Sequence, residues 1–499
     1  MTTAPVNLPL PDGSVEVVTG VTLDSRRVQP GDLWVALPGE HVHGARFAAQ
    51  AIAAGARAIL TDAAGAEMIG DVEVPVSVSE DPRRDMARLS ARVHGDPSTT
   101  LAMFGVTGTN GKTTTTHLLA ALLRHVGLRV GTAGTLGFEL DGIRVELPTT
   151  TVTTPEAPDL QALLARMRDS GADVVAMEVS SHALELHRVD GVQFHAAGFT
   201  NINREHLDFH GTMEAYFDAK ARLFTTAFTR NAVVHLDDPR GGELVRRARA
   251  QGLAVRTVGR TDVADYRILP AGPAQFSLQH PHGNLTVPMR LPGDFNRTNA
   301  AIAMALIDGE VIAGQRISLD AVAPALATVD VPGRMQPVPL GEGAPEAYVD
   351  FAHTPESITA ALGAFADDLA AGRPVIVVVG CGGDRDPSKR EHMGRAAAEA
   401  STLAIITDDN PRTESPEAIR DVVLRGARSV ASETIDGGDR RSAITEALRR
   451  AGREGIVAVL GKGHEQGQIV GTEVLPFDDA TVLVEVWETV SAESTEETD

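Results

Sequence analysis

Eight consecutive residues, Thr107-Gly108-Thr109-Asn110-Gly111-Lys112-Thr113-Thr114, are of the types that hold a polyphosphate. Glycines let backbone N–H groups close around phosphate oxygens, Lys112 can reach the terminal phosphates, and Thr113 or Thr114 can offer a hydroxyl to Mg2+. The apolar run Leu101 to Val106 precedes this stretch and the helix-patterned segment His117 to Val126 follows it, which supplies the strand, loop and helix context the chemistry needs. The strict spacing, GxxxxGK followed by Ser or Thr, would put glycine at position 106. This chain has Val106 there and Gly105 beside it, so the loop is a variant. The plainer alternative is a glycine- and threonine-rich turn that caps a helix; the intact Gly-Lys-Thr core argues for phosphate.

Two further apolar runs end in polar clusters. Asp173 to Met177 runs into Glu178-Val179-Ser180-Ser181-His182, and Ala196 to Phe199 runs into Asn201-Ile202-Asn203-Arg204-Glu205-His206. Glu178 and His206 could meet nucleotide phosphates through Mg2+, which favours carboxylate and water oxygens and can accept an imidazole. Either residue alone reads as a loop polar group or a cap. Three consecutive strand ends with this chemistry point to a site. Lys220, in the helix-compatible segment Met213 to Lys220, reads on spacing alone as a solvated helix lysine.

Later in the chain, Asp408-Asp409-Asn410-Pro411-Arg412 sets an amide and a guanidinium beside a proline turn, an arrangement suited to gripping a carboxylate with a two-pronged donor. Gly380 to Asp386 adds Arg385, and Gly461-Lys462-Gly463-His464-Glu465 adds an acid. Arginine for carboxylate and glutamate for ammonium is the complement of an amino acid. The bland reading of each is a turn that stops a strand. Asp350-Phe351-Ala352-His353-Thr354-Pro355 follows the strand Ala347 to Val349 and is weak as a bare motif.

The elements that must position these residues read as α/β throughout. Val15 to Val78 alternates short strands with Gly/Pro turns and one Ala-rich helix, Ala45 to Ala54, and His94-Gly95-Asp96-Pro97-Ser98 reads as a linker. Next comes a rhythm of apolar runs and helix-length patterns such as Asp159 to Asp169, which predicts βα units on a largely parallel sheet. Short alternating strands follow from Tyr266 to Met289, then a helix from Asn296 to Ile307, with a boundary at Val331-Pro332-Gly333-Arg334. In the third region, Val375 to Val379, Leu403 to Ile406 and Ile456 to Leu460 read as parallel strands whose following loops can converge on one crevice. The expected domains are therefore 1–98, 99–332 and 333–499, and the acidic tail Ser491 to Asp499 is expected to be disordered.

Composition sets outer limits. A chain of 499 residues is too long for one core, and 43% hydrophobic residues can fill several. Forty-five Lys and Arg against 67 Asp and Glu give a net charge of −22, which disfavours general affinity for nucleic acid or anionic membrane. The single cysteine, Cys381, excludes an intrachain disulfide and suits a reducing compartment. Met1 to Leu10 lacks the basic and apolar runs of a leader, so a soluble cytoplasmic protein is expected.

Taken together the motifs resemble those of the Mur ligases, ATP-dependent amide-forming enzymes that extend the peptide of peptidoglycan precursors. The resemblance rests on Asp24-Ser25-Arg26, the Gly-Thr-Asn-Gly-Lys-Thr-Thr loop, Thr153-Thr154-Pro155, Glu178 to His182, Glu214 to Lys220, Asn296-Arg297-Thr298-Asn299, Asp350 to Pro355, Asp409 to Arg412 and Gly461 to Glu465. Within the family the chain is most similar to the third-residue enzymes, and its Asp-Asn-Pro-Arg box resembles the meso-diaminopimelate-selective form.

The resemblance implies a small N-terminal α/β domain for the UDP-sugar, a central P-loop-type ATPase domain and a C-terminal Rossmann-like α/β domain. It implies that Gly108 to Thr114, Asn296, Arg334 and Asp350 bind ATP, and that Leu23, Ser25, Thr153, Thr154, Ser180 and Arg188 bind the UDP-N-acetylmuramoyl-L-alanyl-D-glutamate. Arg385, Asp409, Asn410, Pro411, Arg412, Gly461 and Glu465 would bind meso-2,6-diaminopimelate. Lys112, Glu178, His206 and Lys220 would be catalytic, with Thr113, Thr114, Glu178, His206 and Lys220 around Mg2+. Lys220 matches the family's carbamylated lysine, in which CO2 turns a cation into an anion able to serve a metal ion. Leu186 stands where some relatives place a substrate-contacting glutamine, and Glu205 replaces a commoner aspartate.

The implied reaction passes the ATP γ-phosphoryl group to the D-glutamate γ-carboxylate, and the amine of meso-diaminopimelate then displaces phosphate from the acyl phosphate. A monomer without nucleic-acid or membrane partners is expected. Two other readings stay open at this point. One is a sister ligase, adding lysine or acting on folate or cyanophycin; the other is a P-loop nucleotide switch that makes no covalent product.

Overall fold

A strand buried on both faces needs apolar residues at every position, whereas a half-buried one alternates. The Val375–Cys381 strand is the former kind: Val375, Val377, Val379 and Cys381 enter one hydrophobic core, and Ile376 and Val378 the opposite one. The computed structural model describes residues 4–9, 14–39, 41–147 and 153–496, so expectations touching positions 1–3, 10 and 497–499 lie outside the described residues. The chain divides into two compact units. One comprises Met1–Pro270, Ser277–Val287 and Thr298–Leu326; the other comprises Ala271–Phe276, Pro288–Arg297 and Ala327–Asp499.

The first unit holds a four-stranded parallel sheet, Gly20–Thr22, Asp32–Ala36, Ala58–Thr61 and Val76–Val78 in that order. It also carries an eleven-stranded sheet whose middle runs Val130–Gly134, Val174–Glu178, Ala102–Thr107, Ala196–Phe199, Asn231–His235, Ala254–Gly259, all parallel. The three strands whose ends carry the phosphate loop, Glu178 and the 201–206 segment are thus immediate neighbours. The Ala157–Asp169 helix covers this sheet with Leu160, Leu163, Leu164 and Met167, spaced to lie on one helical face against Met103, Val175 and Met177.

The expected linker at 94–98 is a short bonded turn. The Arg168 guanidinium donates to the His94 carbonyl at 3.0 Å, and the Gln193 N–H donates to Ser98 Oγ at 3.1 Å. On either side of this turn the two sheets are tied: Ala157 enters the core built by Val6, Leu8, Leu33, Leu89 and Val93, and Arg27 pairs with Asp159 at 2.8 Å. The Ala-rich stretch forms a 3-10 turn, Gly44–Phe47, and a helix, Ala48–Ala53. A further helix, Ala63–Ile69, starts at Asp62, whose carboxylate accepts the Gly65 N–H. That helix has no apolar periodicity to announce it.

In the second unit a six-stranded sheet runs Gln336–Pro337, Glu346–Asp350, Ile456–Leu460, Val375–Cys381, Leu403–Asp408, Glu433–Gly438, parallel except for the first strand. Ile456–Leu460 comes last in the chain yet sits between Glu346–Asp350 and Val375–Cys381, a reversal of strand order that opens a crevice at the carboxyl ends. The tail departs from expectation. Asp479–Glu496 is a helix, because Val482, Leu483, Val486 and Val490 form a stripe that docks on the sheet and carries the polar end along. Among the described residues no helix is long and apolar enough to cross a membrane.

One buried ion pair locks that helix to the sheet. Arg440 and Asp479 are both fully buried, with Nε to Oδ1 and Nη2 to Oδ2 at 2.7 Å each, and Nη2 also donates to the Leu460 carbonyl at 3.0 Å. Removing one partner strands a charge in the core, at a cost of about 3–5 kcal/mol. Asp479→Ala should therefore lower the urea midpoint of the chain strongly, and Arg440→Met combined with Asp479→Leu should regain most of the loss. A single variant as stable as the parent would refute the assignment.

Candidate active site

The phosphate loop leaves the Ala102–Thr107 strand and enters the Lys112–His125 helix. Two glycines are obligatory here. A Cβ at Gly108 would lie 1.9 Å from Thr200 Oγ1, and Gly111 has φ +85° with Asn299 Oδ1 2.5 Å from where a Cβ would sit. The neighbouring strand end braces the loop: Thr200 Oγ1 donates to the Asn110 carbonyl at 2.6 Å, and Asn201 Oδ1 accepts from the Asn110 N–H at 2.9 Å. Thr109 Oγ1 accepts the Asn203 N–H at 2.9 Å and lies 3.0 Å from the Tyr216 hydroxyl. Lys112 Nζ curls over the loop onto the carbonyls of Gly108 and Thr109, at 2.9 and 2.8 Å. The helix start, the lysine and the oriented loop together make an anion-binding end.

Lys220 overturns the spacing-based reading of a solvated lysine. Its side chain is buried, and Nζ donates to the Gly108 carbonyl at 2.8 Å while lying 4.5 Å from the centre of the Tyr216 ring. Burial, reinforced by the nearby Lys112 ammonium and only partly offset by Glu205, pushes the amine well below its ordinary value. Burial thus works against the charged form. Across the loop, buried Glu178 accepts the Thr135 N–H through Oε1 at 2.7 Å and the Thr135 hydroxyl through Oε2 at 3.1 Å. His206 has φ +54° and stacks edge-on against His182 at 4.7 Å. Burial, with His206 and His210 close by, drives His182 down to about 4.

Glu178 also links to the residues expected at the dipeptide. Thr154 Oγ1 donates to the Glu178 carbonyl at 2.9 Å and accepts the Ser180 N–H at 3.2 Å, and the Thr153 hydroxyl lies 3.2 Å from that of Thr135. Arg188 donates to Glu156 Oε1 at 2.9 Å and to the Thr154 carbonyl at 3.1 Å. One cluster therefore contains Glu178, Thr153, Thr154, Ser180 and Arg188. Leu186 ends the Ser181–Glu185 helix. Leu23 is exposed just beyond the Gly20–Thr22 strand, and Ser25 is buried with its hydroxyl donated to Gln50 at 3.1 Å.

In the second unit, Asp350 accepts the Met335 N–H at 2.6 Å and the Ala352 N–H at 2.8 Å, so its carboxylate brackets the loops on both sides of Arg334 and Phe351. Burial raises its carboxyl above the usual range, against the pull of Arg334. Arg334 lies over the Phe351 ring at 4.6 Å. Asn296 is fully buried, and its amide donates to the Pro292 carbonyl at 2.8 Å.

The strand ends at Cys381, Asp408 and Leu460 bring the amino-acid-like residues together. Asn410 Nδ2 donates to Glu465 Oε2 at 2.8 Å, and the Ile469 N–H donates to Asn410 Oδ1 at 2.9 Å. Arg412 adopts φ +52° and donates through Nη1 to the Gly383 carbonyl at 2.7 Å, tying the 408–412 loop to the 380–386 loop. Asp409 caps the Asn410 N–H at 2.7 Å, Pro411 is buried, and a Cβ on Gly461 would meet Asp409 Oδ2 at 2.7 Å. Arg385 lies exposed on the 380–386 loop, apart from this network.

Several residues that matter here carry no assigned role from sequence. Thr135 holds the Glu178 carboxylate, Thr200 and Asn201 brace the phosphate loop, Glu156 holds Arg188, and Lys462 sits at the centre of the Asn410–Glu465 pair. Lys462 alone had a readable signal, as a lysine flanked by glycines at the end of a fully apolar strand. The rest are polar residues of common type whose partners come from elsewhere in the chain.

Comparison with known proteins places the chain in a family. Models of the Mur ligase family match along the chain: the Mur ligase family catalytic domain at 17–94, the Mur ligase middle domain at 106–307 and the Mur ligase glutamate ligase domain at 333–463. A UDP-N-acetylmuramoyl-L-alanyl-D-glutamate–2,6-diaminopimelate ligase of Streptomyces coelicolor is 44% identical over 485 residues, covering 95% of this chain and 93% of that one. A solved structure of a ligase of that name is 32% identical with a TM-score of 0.68, covering 95% of each chain. A Thermotoga maritima MurF ligase solved with ADP is 18% identical, covers 95% of this chain and 98% of its own, and shares the fold at a TM-score of 0.59.

One site histidine gives a checkable pH effect. Burial, with Arg334 adding to it, lowers His464 to about 4, and its ring lies 5.4 Å from that of Phe351. The unfolded chain takes up this proton near pH 6.5 and the folded chain resists it, so the contribution is whole above about 6.5 and is lost as pH falls through about 4. His464→Gln should flatten the fall in stability across that window, read as urea midpoints against pH. A slope identical to the parent's would refute this.

Proposed function

Because the chain belongs to the Mur ligase family, we propose that it adds meso-2,6-diaminopimelate to UDP-N-acetylmuramoyl-L-alanyl-D-glutamate at the expense of ATP, a step of peptidoglycan precursor synthesis in the cytoplasm. The observation that carries this reading is the gathering of Arg412, Asn410 and Glu465 at the ends of the two strands that flank Val375–Cys381, a guanidinium and a carboxylate suited to the two charges of an amino acid. The 44% identity to a ligase of that name supports it over nearly the whole chain.

The residues divide the work by their chemistry. Lys112, the loop N–H groups and the start of the Lys112–His125 helix hold ATP phosphates and stabilise charge on the γ-phosphoryl group as it moves to the D-glutamate γ-carboxylate. Thr153, Thr154, Ser180 and Arg188 orient that carboxylate, with Arg188 screening one of the two anions that must approach. Leu23 and Ser25 hold the uridine end. Asn296, Arg334 and Asp350 hold the rest of the nucleotide, with Arg334 and Phe351 offering a flat cationic and aromatic surface. Asn410, Arg412 and Glu465, with Asp409, Pro411 and Gly461 shaping their loops, hold the incoming diamino acid; Arg385 is an exposed addition from the neighbouring loop.

Among the described residues no three His, Cys, Asp or Glu side chains gather as a cage. Magnesium that arrives on nucleotide phosphates needs one or two protein oxygens and keeps waters, so the Thr113 or Thr114 hydroxyl with Glu178 fits it, and His206 with Lys220 fits a second ion. When bound, Mg2+ supplies the positive charge that lets phosphate and carboxylate meet. A neutral amine is the form that adds CO2, releasing a proton and leaving a carbamate, and the burial of Lys220 works toward that form.

The assay that tests this reading measures phosphate release with ATP and the UDP-muramoyl dipeptide against a panel of amino acids. Release should require meso-diaminopimelate, with L-lysine poorer by roughly a thousandfold, because lysine leaves the Arg412 guanidinium unpaired. Equal use of lysine would favour the lysine-adding form, and release without any amino acid a nucleotide switch. Lys220→Ala should lose activity that a short carboxylic acid partly restores. Full activity in that variant would remove the carbamate.

A further inference from the structure

Lys462 lies between two glycines at the end of the Ile456–Leu460 strand, its side chain completely buried. A buried ammonium has three N–H bonds to satisfy, and here each has an acceptor: Asn410 Oδ1 at 3.2 Å, Glu465 Oε2 at 3.1 Å and the Gly467 carbonyl at 2.6 Å. Asn410 Nδ2 closes the ring by donating to the same Glu465 Oε2 at 2.8 Å. The ring joins two loops from different strands, 408–412 and 461–465, and the 467–471 segment is stitched to the first of them. Gln468 Nε2 donates to the Asp409 carbonyl at 2.6 Å, and the Arg412 N–H donates to the Ile469 carbonyl at 3.0 Å.

Resting on the amino-acid reading above, we propose that Lys462 is a positioning residue that orients Asn410 and Glu465 toward the incoming amino acid. An amide can be turned end for end at little cost unless something distinguishes its oxygen from its nitrogen. Lys462 and the Ile469 N–H both point donors at one end of Asn410, which must then be the oxygen, and the opposite end presents N–H to Glu465 with a second N–H left over. Glu465 is ordered in the same way. Its Oε2 is taken by two donors from the protein, which leaves Oε1 as the oxygen for a substrate ammonium. The charges are complementary too, because Lys462 Nζ sits 3.1 Å from the Glu465 carboxylate inside the loop network.

This role predicts a split among kinetic constants that simple loss of structure would not give. Lys462→Met should raise KM for meso-diaminopimelate by about 10- to 100-fold, the scale of losing charge-assisted hydrogen bonds, while KM for ATP and for the UDP-muramoyl dipeptide stay within about twofold. Lys462→Arg, which keeps the charge, should recover part of the loss. In a Glu465→Gln background Lys462→Met should add less than it does to the parent, because one of the two groups it orients has already gone. If Lys462→Met does not fold, Lys462→Gln carries the same comparison. Unchanged KM for the amino acid, a parallel rise in all three KM values, or fully additive losses with Glu465→Gln would overturn the proposal. A parent chain that uses no amino acid at all would instead overturn the functional reading beneath it.

Discussion

A parallel strand covered on both faces has nowhere to put a polar side chain except at its ends, and this constraint organises the whole molecule. Val174–Glu178, Ala102–Thr107 and Ala196–Phe199 are buried along nearly their full length, and each releases its polar residues only on reaching the carboxyl edge. The same holds for Val375–Cys381, Leu403–Asp408 and Ile456–Leu460 in the second unit. Because these strands are neighbours within their sheets, residues far apart in sequence arrive at one edge. Chemistry collects there because burial excludes it elsewhere.

At those edges the structure takes several basic side chains partly or wholly out of water and gives each a defined set of acceptors. Lys112 and Lys220 share the Gly108 carbonyl, Lys462 has its three partners, and Arg440 has Asp479 and the Leu460 carbonyl. The environments differ in a telling way. Arg440 faces a carboxylate in a fully buried bidentate pair, so its charge is compensated. Lys220 meets a carbonyl, an aromatic ring and another ammonium, so its charge is penalised and its amine is pushed well below the ordinary value. Similar residue types thus have their charge compensated in one place and penalised in another.

Much of this architecture was legible in the sequence. Apolar runs bounded by Gly, Pro or charge marked the Ala196–Phe199 and Ile456–Leu460 strands to the residue, and the helix-length pattern from Asp159 to Asp169 marked most of the Ala157–Asp169 helix. Less legible were elements that depend on what they pack against. The stretch from Ser491 looked like a polar tail because the apolar stripe that docks its helix ends at Val490, and the 94–98 turn looked like a linker because its bonds come from Arg168 and Gln193. His206 and Arg412 hold left-handed backbone at a cost of about 1–3 kcal/mol each, and no local pattern announces such strain in a non-glycine residue.

By itself, then, the sequence determined the alternation of strands and helices, the phosphate loop with its Gly-Lys-Thr core, and the residue types available at each strand end. Those properties are local: they follow from side-chain volume, polarity and backbone freedom over a few residues. Tertiary structure alone decided that Lys220 is buried and neutral-leaning, that Thr135 holds Glu178, that Glu156 holds Arg188, and that Lys462 joins Asn410 to Glu465. Each of these depends on a partner brought in by strand order or loop geometry, and the energy of a polar group is set by the partners and solvent around it, which no single stretch of chain contains.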